Sequence, residues 1–329
     1  MSEITIAPGR AAILAVSSAK RAYLLKKIAG VVALAALPAS APGQVLSFSA
    51  RSDLVVFSAT AVDGKGRPVT DLRREDFRIL EEGRPQAIAH FHGGRGLPAR
   101  VLLLVDASGS MSEERKVADA RWAAGQILDA LGPEDQVAVA GFDSRYWGVV
   151  AFTVDREAVR KGLEAITPFG STALHDALDK AARDIASHGE GRRAVVVLTD
   201  GMDTSSQKTP DEVIARSRAL DVPIYAVSVV SPLDDPASPS FVGRKQAGQV
   251  AAATETLARY ADLSGGTAYR VSNPAALHLA ADRIASELKH QYRLGWDPPS
   301  GPSRFRRVVV QSTRKGVIVR TRSGYVPPS

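Results

Sequence analysis

The sequence predicts a mixed α/β protein in which a doubly wound, mostly parallel sheet is inserted in, or flanked by, a smaller β-sandwich-like domain. Three observations predict it. Between residues 100 and 289 the aliphatic runs RVLLLVD, QVAVAGF, AVVVLTD and PIYAVSVV alternate with segments of helical period, which is the pattern of βαβ units on a sheet buried on both faces. Residues 45–97 instead alternate in strand fashion, as in LVVFSATAVD and DFRILEEGRPQAIAHFH, with turn residues every eight to twelve positions and no helical periodicity. Strand character then returns after 290 in YRLGWDPP, FRRVVVQST and GVIVRTRSGYV.

The chain opens with a segment of different character. A basic stretch, KRAYLLKK, precedes the apolar run IAGVVALAALPA and the small-residue segment SAPGQ, so residues 1–43 read as a secretory signal peptide. The apolar run falls short of the roughly 20 residues a membrane span needs. A retained anchor is the alternative. Ala39 and Ala41 have small-x-small spacing but Pro42 would follow that cut, so cleavage after Gly43 competes with it. An exported chain is expected, periplasmic, envelope-associated or secreted, with no transmembrane span in its mature form.

Composition narrows the chemistry. A chain of 329 residues that is 45% hydrophobic can bury a full core and is neither a fibre nor a disordered tail. It has no cysteine, which excludes disulfides, thiolate metal sites and a lipidated cysteine anchor. Any metal must be held by oxygen or by one of six histidines. The formal charge of +7 also needs apportioning. The leader carries five basic residues against one acidic, and residues 290–329 carry eight basic residues against Asp297. The stretch between them is acidic. The basic residues of the C-terminal segment lie in strand-like sequence without interleaved aromatics, so a solvated face is favoured and no nucleic-acid partner is expected.

Three blocks follow the leader: 44–97 as the N-terminal part of a β domain, 98–289 as the α/β domain, and 290–329 as C-terminal strands. Three strands alone are marginal, so they are expected to complete the β domain begun by 44–97. Within the α/β block, Val117, Ala120, Ala124, Ile127, Leu128 and Leu131 fall on one helical stripe, and Ser110 with Glu113 has capping-box spacing. QVAVAGFDSRYWGVVAF departs from the alternation and predicts a hairpin with one antiparallel edge strand. Residues 231–253 predict a long loop. Nothing in the sequence specifies an oligomeric state.

The strand RVLLLVD ends in a cluster of small oxygen-bearing residues, DASGS. Asp106 is expected at its carboxyl end with Ser108 and Ser110 in the turn that follows, the edge where ligands bind open α/β sheets. AVVVLTD brings Asp200 to the same edge, and PFGSTALHDAL places Thr172 just before a helix. Two carboxylates and three hydroxyls are hard donors that suit Mg²⁺, Mn²⁺ or Ca²⁺ and not zinc or copper. Asp203 is expected as a turn residue, His175 at the core edge or beside the site, His90 and His92 on a solvated strand face, and Trp122, Trp147 and Trp296 as packing residues.

These residues resemble the metal-ion-dependent adhesion site of von Willebrand factor type A domains, a Rossmann-like fold, with all five positions in the family's order and spacing. The flanks GKGRPVTDLRREDFRILEEGRPQ and YRLGWDPP, with FRRVVVQ and GVIVRTRSGYVPP, resemble bacterial, acidobacterial-type secreted proteins that carry this domain. The resemblance implies that Ser108, Ser110 and Thr172 contact the ion directly and that Asp106 and Asp200 act largely through bound water. It implies Mg²⁺ first, with Mn²⁺ or Ca²⁺ as alternatives, and a protein ligand recruited through an acidic residue. Two other classes compete: an envelope scaffold whose metal is structural, and a metal-dependent hydrolase. The hydrolase finds little support, since DASGS is not a G-x-S-x-G elbow and no histidine is spaced to serve Ser108, so no enzyme is expected.

Overall fold

The computed structural model describes residues 54–93, 98–189, 191–230, 240 and 247–327 of the chain. The leader expected at 1–43 lies outside the described residues, as does most of the excursion expected at 231–253. Four strands come first: β1 (Val55–Val62), β2 (Phe77–Glu81), β3 (Arg84–Gln86) and β4 (His90–His92). The α/β unit runs through β5 (Ala99–Asp106), α1 (Lys116–Ala130), β6 (Gln136–Phe142), β7 (Tyr146–Thr153), α2 (Arg156–Glu164), α3 (Leu174–Ala186) and β8 (Arg192–Thr199). It continues with α4 (Pro210–Leu220), β9 (Ile224–Val229), α5 (Ala247–Ser264), β10 (Ala268–Val271) and α6 (Pro274–Lys289). Four more strands follow: β11 (Tyr292–Trp296), β12 (Arg306–Ser312), β13 (Ile318–Thr321) and β14 (Gly324–Tyr325).

The central sheet has six strands in the order β10-β9-β8-β5-β6-β7, all parallel except β7, which pairs antiparallel with β6. Alternation along β5 explains why the run is apolar throughout. Val101, Leu103 and Val105 enter one core with α1, α2 and α6, whereas Leu102 and Leu104 enter the other with α3, α4 and α5. Strand order turns back between β5 and β8, so the loops after those two strands diverge to opposite sides and leave a crevice. One expectation is corrected here. From Ala247 the expected loop is helix, because Leu257, Tyr260 and Ala261 recur at helical spacing and bury against the sheet.

Two four-stranded sheets, β13-β1-β11-β4 and β14-β12-β2-β3, each mix strands from before and after the α/β unit. β1 pairs with β11 from Val55 opposite Trp296 to Ala59 opposite Tyr292. Phe57, Ile79, Tyr292, Trp296, Val308 and Tyr325 form their shared core. At its centre the Glu81 carboxylate accepts from Arg306 Nη1 at 2.8 Å, Trp296 Nε1 at 2.7 Å and the Tyr325 hydroxyl at 3.2 Å. A buried charge is tolerated only with such partners.

Polar contacts join these sheets to the α/β unit. Asp221, just past α4, accepts from the Ser58 amide and hydroxyl and pairs with Arg322 at 3.2 Å. Glu287 of α6 pairs with Arg320 of β13 at 2.5 Å. Between α5 and β10 the backbone itself makes the contact: a Cβ on Gly265 would stand 2.8 Å from the Arg322 backbone nitrogen, just past β13. No helix among the described residues is long and apolar enough to cross a membrane.

Candidate metal centre

β5 ends at Asp106, whose Oδ1 accepts from the Ser108 amide at 2.8 Å. This local side-chain bond turns the chain out of the strand. Met111 then drops its side chain fully into the core and ties its amide to the Ser108 carbonyl, so a 3-10 turn over Gly109–Arg115 follows in place of an immediate α-helix. The helix start expected near Ser110 is corrected: α1 begins at Lys116, after Arg115 in left-handed conformation. The Ser110 hydroxyl lies 3.2 Å from the Ser108 hydroxyl instead. Burial of Met111 and the turn at Asp106 outweigh the capping preference, and both hydroxyls are left beside the strand end.

The second loop lies against the first. The Phe169 amide donates to the Ala107 carbonyl at 2.6 Å, the Gly109 amide to Gly170 O at 2.9 Å, and the Ala173 amide to Asp143 O at 2.7 Å. Thr172 is buried, and its carbonyl accepts from the Thr204 and Ser205 amides. The third loop completes the set. Asp200 follows β8, and its Oδ1 accepts from the Met202 amide at 3.2 Å while its Oδ2 meets Lys116 Nζ at 3.2 Å.

The charge of Asp200 is felt at Asp106. Burial pushes the Asp106 carboxyl up to about 7, with the neighbouring charge of Asp200 as the second cause. Two carboxylates held this way in a desolvated crevice attract a cation. Among the described residues no group of three or more His, Cys, Asp or Glu side chains could hold a metal ion, so a site here must draw on hydroxyls. Ser108 and Ser110 carry hydroxyls on the first loop, Thr172 carries one on the second, and Thr199 carries one beside Asp200. The donor set is all oxygen and fits a hard divalent cation.

Three residues of the site escaped sequence reasoning. Thr199 accepts from the Gly201 amide and donates to Asp106 Oδ2 at 2.5 Å; its place beside Asp200 in LTD was the signal. Lys116 supplies a positive charge from the first turn of α1. Asp203 is more than a turn residue, since its Oδ1 accepts from the Leu174 amide at 2.8 Å and so caps α3. His175 lies at the core edge, with Nδ1 2.7 Å from the Tyr260 hydroxyl and Nε2 3.7 Å from Asp203. Trp296 is fully buried, but Trp122 is exposed and lies in tilted contact with the His278 ring rather than filling a core.

The doubly wound sheet and its switch-point loops thus define an α/β module with oxygen donors at the carboxyl edge of its sheet. Residues 101–202 match the family model of the von Willebrand factor type A domain, a span that takes in Asp106, Ser108, Ser110, Thr172 and Asp200. The α/β unit has the fold of that domain. The human inter-alpha-trypsin inhibitor heavy chain H4 is 30% identical over 136 residues, covering 37% of this chain and 14% of that one. A UPF0353 protein of Mycobacterium bovis is 26% identical over 215 residues, covering 59% of this chain and 61% of its own. The chain thus spans less than two thirds of either relative. Among solved structures, a von Willebrand factor type A protein from Catenulispora acidiphila is 14% identical with a TM-score of 0.48, over 83% of this chain and 74% of that one.

Proposed function

We propose that this chain is a metal-dependent protein-binding module of an exported protein, with Asp106, Ser108, Ser110, Thr172 and Asp200 holding a divalent cation that recruits an acidic group of a partner. The observation that carries the reading is the convergence of three hydrogen-bonded loops at the switch point, each bearing oxygen donors and two of them bearing mutually repelling carboxylates. Neutral hydroxyls in contact with the ion would leave much of its positive charge uncompensated. An ion with an open position attracts an anionic oxygen. Mg²⁺ is the first candidate, with Mn²⁺ or Ca²⁺ as alternatives.

Binding is favoured over catalysis by what surrounds the serines. The Ser108 hydroxyl meets another hydroxyl, and His175 directs its Nδ1 to Tyr260; a nucleophile would need a base in that place. Calorimetric titration of Mg²⁺ and Mn²⁺ into the full chain, with Asp106→Ala as control, tests the site. Anisotropy of a labelled acidic pentapeptide with ion and with EDTA tests recruitment. Ion uptake that survives Asp106→Ala would sink the site, and equal peptide affinity in EDTA with the chain folded would sink the adaptor role. An ion that raises the melting temperature without any peptide binding would favour the structural-metal scaffold. Export rests on the leader alone, and a full-length intact mass from the cytoplasm of the native cell would count against it.

A further inference from the structure

Phe169 is 79% exposed, more than any other large apolar side chain among the described residues. Scattered surface apolar residues are ordinary and need no function. Two observations set this one apart. Its amide is tied to the carbonyl of Ala107, between Asp106 and Ser108, and the carbonyl of the next residue is tied to the amide of Gly109, between Ser108 and Ser110. Phe169 therefore sits directly against the loop that carries the proposed ligands, three positions before Thr172. Its own segment is also restrained: Pro168 precedes it with a fixed φ, and Gly170 follows at φ +84°, a conformation that turns the chain sharply and that other residues rarely adopt. The backbone that carries the ring is thus fixed against the ligand loop.

One carboxylate stands beside this segment: Asp143 Oδ2 would lie 3.9 Å from a Cβ on Gly170. Ser112, Ser171, Thr204 and Ser205 are exposed, and the Ser171 hydroxyl bonds that of Ser205 at 3.3 Å. Small hydroxylated residues on the adjoining loops leave room for an apolar group to pack on this exposed ring. Aromatic anchors are enriched among the residues that dominate binding energy.

We propose that Phe169 is the apolar half of the docking surface, so that the partner segment presents an acidic side chain to the ion and a bulky apolar side chain to this ring. The inference rests on the metal-dependent reading above. Three residues of extended chain span at most about 11 Å, and Phe169 stands three residues from Thr172. The partner's apolar residue therefore lies within about three positions of its acidic one, in an extended segment.

Labelled hexapeptides test this against the full chain in Mn²⁺. One carries Asp with Leu two positions away, a second carries Asp with Ser in place of the Leu, and a third carries Asn with Leu. The Asp–Leu peptide should bind at least about tenfold tighter than the Asp–Ser peptide, the loss expected when an anchor contact is removed. Phe169→Ser should erase that preference while Mn²⁺ affinity by calorimetry stays unchanged. A wild-type chain that takes up Mn²⁺ yet shows no preference, or binds none of the peptides, overturns the inference; so does a preference that survives Phe169→Ser. Equal binding of the Asn–Leu and Asp–Leu peptides would instead overturn acid recruitment, and absence of Mn²⁺ uptake would overturn both.

Discussion

Replacing Lys116 with methionine separates the charge at the site from its shape. Lys116 Nζ lies 3.2 Å from Asp200 Oδ2, with side chains only 12% and 7% exposed. Two unit charges at that distance attract by about 5 kcal/mol at an effective dielectric constant of about 20. Desolvation of the ammonium removes most of this, and a net of about 1–2 kcal/mol remains. Methionine keeps the apolar stem and deletes the charge, so without metal Asp200 faces Asp106 with that ion pair gone. The metal-free variant should melt about 2–6 °C below the parent. The divalent ion, by contrast, is repelled by the ammonium, so its affinity for the variant should rise about tenfold, the equivalent of 1.4 kcal/mol. Saturating Mn²⁺ should then narrow or reverse the melting difference. Differential scanning calorimetry with and without Mn²⁺, with titration calorimetry on both chains and Lys116→Arg as a charge-keeping control, measures each part. A variant that melts with the parent in EDTA, or binds Mn²⁺ no more tightly, refutes the reasoning.

Asp106→Ala should abolish ion uptake and acidic-peptide binding together, as read by calorimetry and anisotropy. Thr172→Ala should weaken both with a melting shift of no more than about 1 kcal/mol in stability, because the backbone of Thr172 makes the bonds that brace its loop. Without metal, Asp106 keeps its proton in the folded chain up to about pH 7, whereas its unfolded value is near 3.8. The folded state then holds the extra proton between those limits, so this group's contribution to stability is present at low pH and declines as pH rises through the window. Urea midpoints in EDTA should show that decline for the parent relative to Asp106→Asn, and parallel profiles for the two would contradict it. Glu81→Gln leaves Arg306 buried beside a neutral amide and should cost about 2–4 kcal/mol in urea unfolding, without changing Mn²⁺ affinity.

The central sheet was legible because its signal is periodic. A strand with an unbroken aliphatic run such as Val101–Val105 has to be covered on both faces, and the helical segments that alternate with it do that. The β7 edge was legible for the opposite reason, since a short polar turn between two strand-like runs leaves no length for a crossover helix. Helix starts were less legible. Ser110 and Glu113 have the spacing of a capping box, yet α1 begins at Lys116, because burial of Met111 and the side-chain turn at Asp106 act on the same residues and weigh more. Residues 247–253 misled for want of polar-apolar contrast: an alanine-rich run reads as featureless until Leu257 and Tyr260 show which side is buried.

The candidate site was legible as far as a side chain's place along the strand determines it. Asp106 and Asp200 end neighbouring parallel strands, and a strand end at a switch point is a position that periodicity can locate. Lys116 is not such a residue. It stands ten positions beyond Asp106, across a 3-10 turn whose length no pattern announced, and its long stem returns to Asp200 only because α1 starts where it does. Thr199 is hidden differently, since in a run of buried β-branched residues a threonine looks like one more strand former until its hydroxyl is seen between the Gly201 amide and the Asp106 carboxylate. Both omissions concern groups that compensate charge or orient a carboxylate. Such groups are selected by distance in three dimensions, and spacing in sequence carries almost no trace of it. The consequence for the site is testable in one pair of variants. Thr199→Val removes the donor to Asp106 and should lower ion affinity by misorienting that carboxylate, whereas Lys116→Met removes a competing charge and should raise it. Effects of the same sign in titration calorimetry would show that the two residues do not act on the ion through separate carboxylates.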